Sequence, residues 1–435
     1  MLLNYVHTLR SLNRNVLLYL AATALIGLSF DGGVFTVLFN LYLLRLDFGP
    51  EFIGQVASAG LLAFALASLP AGTIGERWGY RATMVIGLAM MIAGGLLVPL
   101  AEFLPARWTG PLILSLYVLM YAGLGLYFVN AVPFVMAIST DDERNQAFSM
   151  QTALLALAAF IGALGAGFLP RIFAALLSME PQQPAPYRYP LLLASIMLIP
   201  SIGFLSRVRR TIPEPATETL AVVADHAPST NPIASSRWRF DSPILVILVL
   251  LSTVRFFQVS GVATASTFFN VYMDAELAVP TPQIGLITAL ARFIGIFAAL
   301  TTPFFVARIG APRTVLLASS ISTLSMLPLA LIPIWPAAGL GYIGVMGMSS
   351  MRFPSFMIFS MGLVPPSWRG TLAGIGEFSG GLSFAGLALL GGSMVEAQGF
   401  KPFFLLGGAL TLVGTLLFYL WFILLREKRV PAPAS

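Results

Sequence analysis

The chain has 435 residues, of which 57% are hydrophobic and only 10% are charged, and its mean hydropathy is +0.87. A soluble domain carries about 25% charged residues, so this composition excludes an ordinary soluble globular protein and is typical of a membrane protein. The net charge of +6 comes from basic residues in short clusters between apolar runs. That pattern favours membrane topology over a nucleic-acid partner. The sequence has no cysteine, which excludes disulfides and thiolate chemistry.

Twelve apolar runs are long enough to cross a bilayer, which takes roughly 20 residues of helix. The predicted spans are about 16–44, 52–72, 82–103, 110–139, 147–178, 190–206, 242–273, 283–306, 314–335, 337–364, 371–398 and 402–425. The first run is too long for the hydrophobic region of a signal peptide, so we interpret it as the first span.

The charges of the loops predict the orientation. With both termini in the cytoplasm, the loops on that side hold sixteen lysines and arginines, and the opposite loops hold four, Arg45, Arg107, Arg188 and Lys401. The positive-inside rule therefore predicts cytoplasmic termini. We expect a multi-pass protein of the cytoplasmic (inner) membrane.

The two parts of the chain resemble each other. "FNLY" at 39–42 matches "FNVY" at 269–272, and residues 52–83 align without a gap with residues 283–314. The intervening segment is rich in Pro, Ser, Thr and Ala and lacks helical periodicity, which is typical of a linker. The predicted organisation is an N-terminal six-helix half (1–206), a cytoplasmic linker (207–241) and a C-terminal six-helix half (242–435). Such parallel repeats are typical of transporters that bind substrate between their halves.

The loop after the second span, "GTIGERWGYR" at 72–81, resembles the cytoplasmic signature of the major facilitator superfamily, G-x-x-x-D-R-x-G-R-R/K. Glu76 stands at the position of the aspartate, and Tyr80 at a basic position. The residues that match are Gly72, Arg77, Gly79 and Arg81. With the twelve spans and the repeat, the resemblance covers nearly the whole chain.

The resemblance implies an all-α polytopic fold with twelve transmembrane helices in two six-helix pseudo-repeats, and transport by alternating access. It also implies a cytoplasmic gate that closes in one state, formed by Gly72, Glu76, Arg77, Gly79 and Arg81, with Asp141 or Asp142 as an additional acid. The alternative is that the arginines of this loop only fix the topology. "GALGAG" at 162–167 resembles the glycine-rich signature of drug antiporters in part, with Ala163 in the proline position.

Five ionisable residues within the predicted spans are candidates for a functional role: Asp31, Arg255, Arg292, Arg352 and Glu377. A charge at mid-membrane costs on the order of 3 kcal/mol, so each is expected to face a cavity or a partner. The resemblance places spans one, four, seven and ten around the central cavity. The candidate substrate and ion site is Asp31, Arg255, Gln258, Arg352, Tyr117 and Tyr121.

Three arginines against two acids favour an anionic or zwitterionic substrate. The alternative is internal neutralisation, with Asp31 paired to Arg255 or Arg352 and Glu377 paired to a nearby cation. The tyrosines have a similar alternative, because an aromatic stripe at helical spacing is more often packing. Asn40 and Asn270 occupy matching repeat positions, which indicates a shared scaffold hydrogen bond.

These features predict a secondary active transporter for a small organic solute, anionic or amphipathic, with Asp31 as a candidate proton carrier. The alternatives are a lipid or lysolipid flippase on the same fold and, remotely, a polytopic membrane enzyme. The chain has no H-E-x-x-H, G-x-S-x-G or P-loop motif, so we predict no enzyme, cofactor or metal site. The expected partners are the solute, protons and membrane lipids, and the expected state is a monomer. Import or efflux, and symport or antiport, stay open.

Overall fold

The computed structural model describes residues 12–180, 182–208, 242–365 and 368–424, which contain helices and no strand. The helices form twelve long segments, numbered here as the predicted spans. They are α1 (Arg14–Ser29 and Val34–Arg45), α2 (Pro50–Trp78), α3 (Tyr80–Leu97, continued by the 3₁₀ turn Val98–Phe103), α4 (Ala106–Ile138), α5 (Asp141–Leu177), α6 (Ala185–Met197 and Ile199–Ser206), α7 (Ser242–Gln258 and Ser260–Ala275), α8 (Thr281–Ile309), α9 (Ala311–Leu331), α10 (Trp335–Met361), α11 (Arg369–Gln398) and α12 (Phe400–Phe418, continued by the π turn Tyr419–Leu424).

Eleven of these segments are long and apolar enough to cross a membrane. The remaining segment is α10, which has 27 residues and the necessary length. Its glycines, its serines and Arg352 lower its hydropathy. The predicted all-α fold class is confirmed. Most of the predicted linker (207–241) lies outside the described residues.

The first span departs from the prediction because α1 is interrupted over residues 30–33. Gly32 has φ +85°, a left-handed conformation that favours glycine. A Cβ on Gly33 would overlap the carbonyl oxygen of Leu28, so the chain can bend here only with glycine. Asp31 therefore lies in a break within the predicted first span, between its two helical pieces.

The predicted gate loop is also shorter than expected. Helix α2 continues to Trp78, so Glu76 and Arg77 lie on its last turn, and the connection to α3 is Gly79 alone. Gly79 has φ +90°, and its repeat counterpart Gly310, between α8 and α9, has φ +84°. The same one-residue turn occurs in both halves, as the sequence repeat predicts.

The halves pack closely on one side of the bundle. We call the side that carries the α2–α3 turn the terminal side, and the opposite one the loop side. On the loop side, a Cβ on Gly392 of α11 would lie 2.8 Å from the carbonyl oxygen of Pro50 on α2. Gly167 of α5 and Gly285 of α8 approach equally closely, with 3.1 Å from a Cβ on Gly167 to the Cα of Gly285. Small residues allow helix backbones to come this near in a membrane.

The same helix pairs separate toward the terminal side. A Cβ on Gly72 of α2, or on Gly374 and Gly376 of α11, would meet no atom within 4 Å. Between described residues, every hydrogen bond that joins the two halves involves Thr36 or residues nearer the loop side. The space between the halves therefore opens toward the terminal side, which the loop charges predict to be cytoplasmic.

Candidate functional site

The interruption of α1 places Asp31 at the inner end of this opening. Its side chain is partly exposed. Within the described residues its carboxylate has no hydrogen bond and no ion pair, although it lies close enough to Tyr121 of α4 to interact electrostatically. An acid without a partner at mid-membrane is expected to have a function.

Arg292 of α8 approaches the same break from the other half. A Cβ on Gly32 would lie 2.7 Å from the central guanidinium carbon of Arg292, so the guanidinium rests against this backbone. The Nε of Arg292 is buried without a hydrogen-bond partner, and the side chain interacts electrostatically with Tyr342 of α10. No role beyond its charge could be predicted for Arg292, because only the fold brings α8 to the break in α1.

Each half contains a stacked aromatic pair that joins its first helix to its fourth. The ring of Tyr117 stacks on Phe39 with centroids 4.5 Å apart, and its hydroxyl donates to the hydroxyl of Tyr121 at 3.1 Å. In the other half Tyr342 stacks on Phe269 at 3.9 Å. Tyr117 and Tyr342 are both buried, so their rings pack against α1 and α7. The packing interpretation therefore applies to Tyr117, and the partly exposed Tyr121 stays a candidate for ligand contact.

Asn40 and Asn270 join the halves by reciprocal hydrogen bonds. The amide of Asn40 donates to the carbonyl oxygen of Thr267 at 2.9 Å, and that of Asn270 donates to the carbonyl oxygen of Thr36 at 3.0 Å. The prediction of a scaffold hydrogen bond shared by the repeats is confirmed.

Arg255 is neutralised within the C-terminal half. Its guanidinium pairs with Glu377 of α11 at 3.0 Å and lies over the ring of Phe353, 4.8 Å from the centroid. The predicted neutralisation of Glu377 by a nearby cation is observed here.

Arg352 is buried and engaged in the same half. It donates to the carbonyl oxygen of Gln258 at 2.6 Å, at the last residue of the first piece of α7. A guanidinium at a helix C-terminus satisfies a carbonyl and complements the helix dipole. Gln258 is also buried, and its Nε2 has no hydrogen-bond partner. Neither Arg255 nor Arg352 pairs with Asp31, so that predicted pairing is absent from this structure.

Comparison with known proteins identifies the family. A family model described as Major Facilitator Superfamily matches residues 21–386. The chain belongs to the major facilitator superfamily (MFS). No curated protein matches it.

Solved MFS transporters share its fold. A D-xylose–proton symporter superimposes with a TM-score of 0.75 at 14% identity, covering 94% of this chain and 97% of the symporter. The nucleoside transporter NupG gives 0.65 at 14% identity, covering 94% and 98%, and a bacterial homologue of the iron transporter ferroportin gives 0.66 at 15% identity, again covering 94% and 98%. At these identities the likeness shows the fold alone.

In this MFS protein the predicted gate residues on the terminal side are apart from the other half. Glu76 and Arg77 are exposed. Arg81 donates to the carbonyl oxygen of Val208 at 2.9 Å, which ties the start of α3 to the end of α6 within one half. The side chains of Asp141 and Asp142 lie outside the described residues.

The loop side contains contacts that the sequence analysis missed. Arg45 forms two hydrogen bonds with the carboxylate of Asp274, at 2.7 and 2.6 Å, and Tyr187 shares a 2.8 Å hydrogen bond with Thr281. Both contacts join the two halves. A signal was available, because Arg45 lies three residues after "FNLY" and Asp274 two residues after "FNVY", so the repeat places opposite charges at one end of α1 and α7.

A second contact that the sequence did not reveal joins the start of α1 to the start of α5. The backbone N–H and the side-chain amide of Asn13 each donate to the carboxylate of Glu143 at 2.8 Å, and Thr140 completes a capping box with Glu143. Burial raises the pKa of Glu143, but the hydrogen bonds from Thr140 and Asn13 outweigh it and hold this pKa below its ordinary value. The T-x-x-E pattern before an apolar run is the sequence signal for this cap.

Proposed function

We propose that this MFS protein is a secondary active transporter that moves a small organic solute across the cytoplasmic membrane by alternating access. The observation that supports this is the break in α1, where Asp31 of one half and Arg292 of the other lie without ion-pair partners at the inner end of an opening between the halves. Unpaired charges at mid-membrane are costly, and a bound solute or proton offsets that cost.

Two sets of contacts alternate in this proposal. The loop side is closed here by Arg45–Asp274, Tyr187–Thr281 and the two asparagines of α1 and α7. In the opposite state these contacts open, and Glu76, Arg77 and Arg81 with Asp141 or Asp142 close the terminal side. The free-energy difference between the two states is small if the polar contacts broken on one side are about as many as those formed on the other.

Asp31 is the proposed site of proton coupling. Two polar groups lie near it: Arg292, whose guanidinium rests against the adjacent Gly32, and Tyr121 of α4. Protonation removes the only acid at the break and changes the charge that the solute meets.

The test is uptake by proteoliposomes in response to an imposed pH gradient, with a panel of organic anions, cations, zwitterions and lysolipids as solutes. The wild-type protein is expected to accumulate a solute, and Asp31→Asn to lose the dependence on the gradient. Glu180→Gln, which removes an exposed carboxylate near the loop-side end of α5, is the matched control. Unchanged proton dependence in Asp31→Asn would exclude the coupling role, and a wild-type protein that moves no member of the panel would contradict transport.

A further inference from the structure

The charges left without partners at the break are one acid and one base. Of the five ionisable residues that the sequence marked as functional candidates within the spans, Arg255 and Glu377 neutralise each other, and Arg352 is buried against the carbonyl oxygen of Gln258. Asp31 and Arg292 remain, both partly exposed. The count of three arginines against two acids suggested a net positive site, but the structure leaves a site with balanced charge.

The two charges are near each other but do not meet. Asp31 is the neighbour of Gly32, and the guanidinium of Arg292 rests on Gly32. No pair of their charged atoms lies within 4 Å, since no ion pair joins them. Each therefore keeps its unsatisfied charge, and the buried Nε of Arg292 keeps an unused donor.

We propose that this site binds a zwitterion, with the ammonium group of the solute at Asp31 and its carboxylate or phosphate at Arg292. The proposal rests on the transport function proposed above and names its substrate class. A zwitterion supplies a counter-ion to both residues, whereas a singly charged solute leaves one of them unpaired. Tyr121 of α4 lies within electrostatic reach of Asp31, and an aromatic ring near an ammonium group adds a further favourable interaction.

The test compares charge-edited ligands on the wild-type protein in detergent. The zwitterions are the natural L-amino acids and glycine betaine, and binding is measured by thermal stabilisation over a concentration series. For each amino acid that binds, the amide keeps only the positive charge and the deaminated acid keeps only the negative charge. The zwitterion is expected to bind at least tenfold more tightly than either analogue.

Two variants assign each charge to its residue. Asp31→Asn is expected to abolish the tenfold preference over the deaminated acid, and Arg292→Gln to abolish the preference over the amide. Arg107→Gln, which removes an exposed arginine near the start of α4, should keep both preferences.

Lysophosphatidylethanolamine and lysophosphatidylglycerol form a second arm of the test, because a zwitterionic lipid headgroup has the same chemistry as a free zwitterion. A preference for the ethanolamine lipid over the glycerol lipid, lost in Asp31→Asn, would support the proposal with a lipid as the source.

Several results would overturn it. These are a wild-type protein that binds no zwitterion in either arm, a deaminated acid that binds as tightly as its parent, or variants that keep both preferences. Uptake of a singly charged or neutral solute with no charge preference would contradict the zwitterion site but support the transport function. Binding with the expected preferences but without flux would support the zwitterion site and contradict the transport function.

Discussion

Arg255 shows how a charge at mid-membrane can be accommodated without a substrate. Its guanidinium has a carboxylate partner in Glu377, an aromatic face in Phe353, and the carbonyl oxygen of Gly376 at 3.4 Å from its Nε. The side chain of Arg255 is only 12% exposed, whereas that of Glu377 is 62% exposed. Removing the acid therefore leaves a largely buried cation without its counter-ion. An unpaired buried charge of this kind is strongly destabilising.

Glu377→Gln is expected to lower the free energy of unfolding by about 1–2 kcal/mol, a value below that of a fully buried pair because Glu377 is partly solvated. The double variant Arg255→Met, Glu377→Gln should recover part of this loss, because no unpaired cation remains. The measurement is thermal unfolding in detergent, with uptake assayed for each folded variant. If Arg255 instead binds the solute, the double variant will be stable but inactive, which would contradict the structural role.

At the scale of single elements, the break in α1 depends on a close approach by α5. A Cβ on Gly162 would overlap the carbonyl oxygen of Leu28 and lie 2.9 Å from the Cα of Gly33. One turn further along α5, a Cβ on Gly165 would meet nothing within 4 Å. The partial resemblance of "GALGAG" to an antiporter signature therefore has a packing explanation at its first glycine.

Gly162→Ala is expected to destabilise the protein by about 1–3 kcal/mol and to reduce uptake, because α5 or the break must move. Gly165→Ala, in the same helix and with the same change in volume, is the matched control and should be neutral or slightly stabilising. Unfolding temperature and uptake of the two variants are compared side by side. Equal effects would mean that helix propensity, rather than contact with the break, governs this segment.

The cap that Glu143 forms with Asn13 and Thr140 gives α1 a pH-dependent attachment. A carboxyl with a lowered folded-state pKa adds stability above its unfolded pKa, and loses it as the pH falls through the folded value. Glu143→Gln should therefore be less stable than the wild type at pH 7, and the difference should shrink at pH values below the ordinary carboxyl value of 4.5. Thermal unfolding from pH 3 to pH 8 measures this, with Glu180→Gln as the surface control. If the difference in stability between the two proteins stays constant across this pH range, the shape of the side chain rather than its charge accounts for it.

At the scale of the whole molecule, periodicity and repeats were sufficient to predict the architecture. Twelve apolar runs predicted twelve helical segments, and the matching of Asn40 with Asn270 predicted their shared role, because both depend on local pattern or internal comparison. The carbonyl partner of Arg352 and the position of Arg292 at the break could not be predicted, since they depend on how α1, α7, α8 and α10 pack. Hydropathy also could not reveal the break at 30–33, because an apolar run looks the same whether its helix is continuous or bent.

Among the residues that the structure describes, one charged contact joins the halves on the closed loop side, the bidentate pair of Arg45 and Asp274. Such charge-assisted pairs are stronger than neutral hydrogen bonds. Asp274→Asn should weaken the closed state by about 1–2 kcal/mol, which shifts the ratio of the two states by roughly 5- to 30-fold. Asp47→Asn is the matched control, because Asp47 is an exposed acid two residues after Arg45 and asparagine tolerates its φ of 61°.

The absence of native cysteine makes this shift measurable with introduced thiols. Glu396 of α11 lies against Gly49 at the start of α2, with 2.9 Å from a Cβ on Gly49 to its carboxylate. In Gly49→Cys, Glu396→Cys, a short bifunctional thiol reagent should therefore cross-link the halves while the loop side is closed. Adding Asp274→Asn should slow this cross-linking, and adding Asp47→Asn should not. Equal rates in the two backgrounds would show that the helix packing of α2 with α11 and α5 with α8, rather than the ion pair, holds the loop side closed.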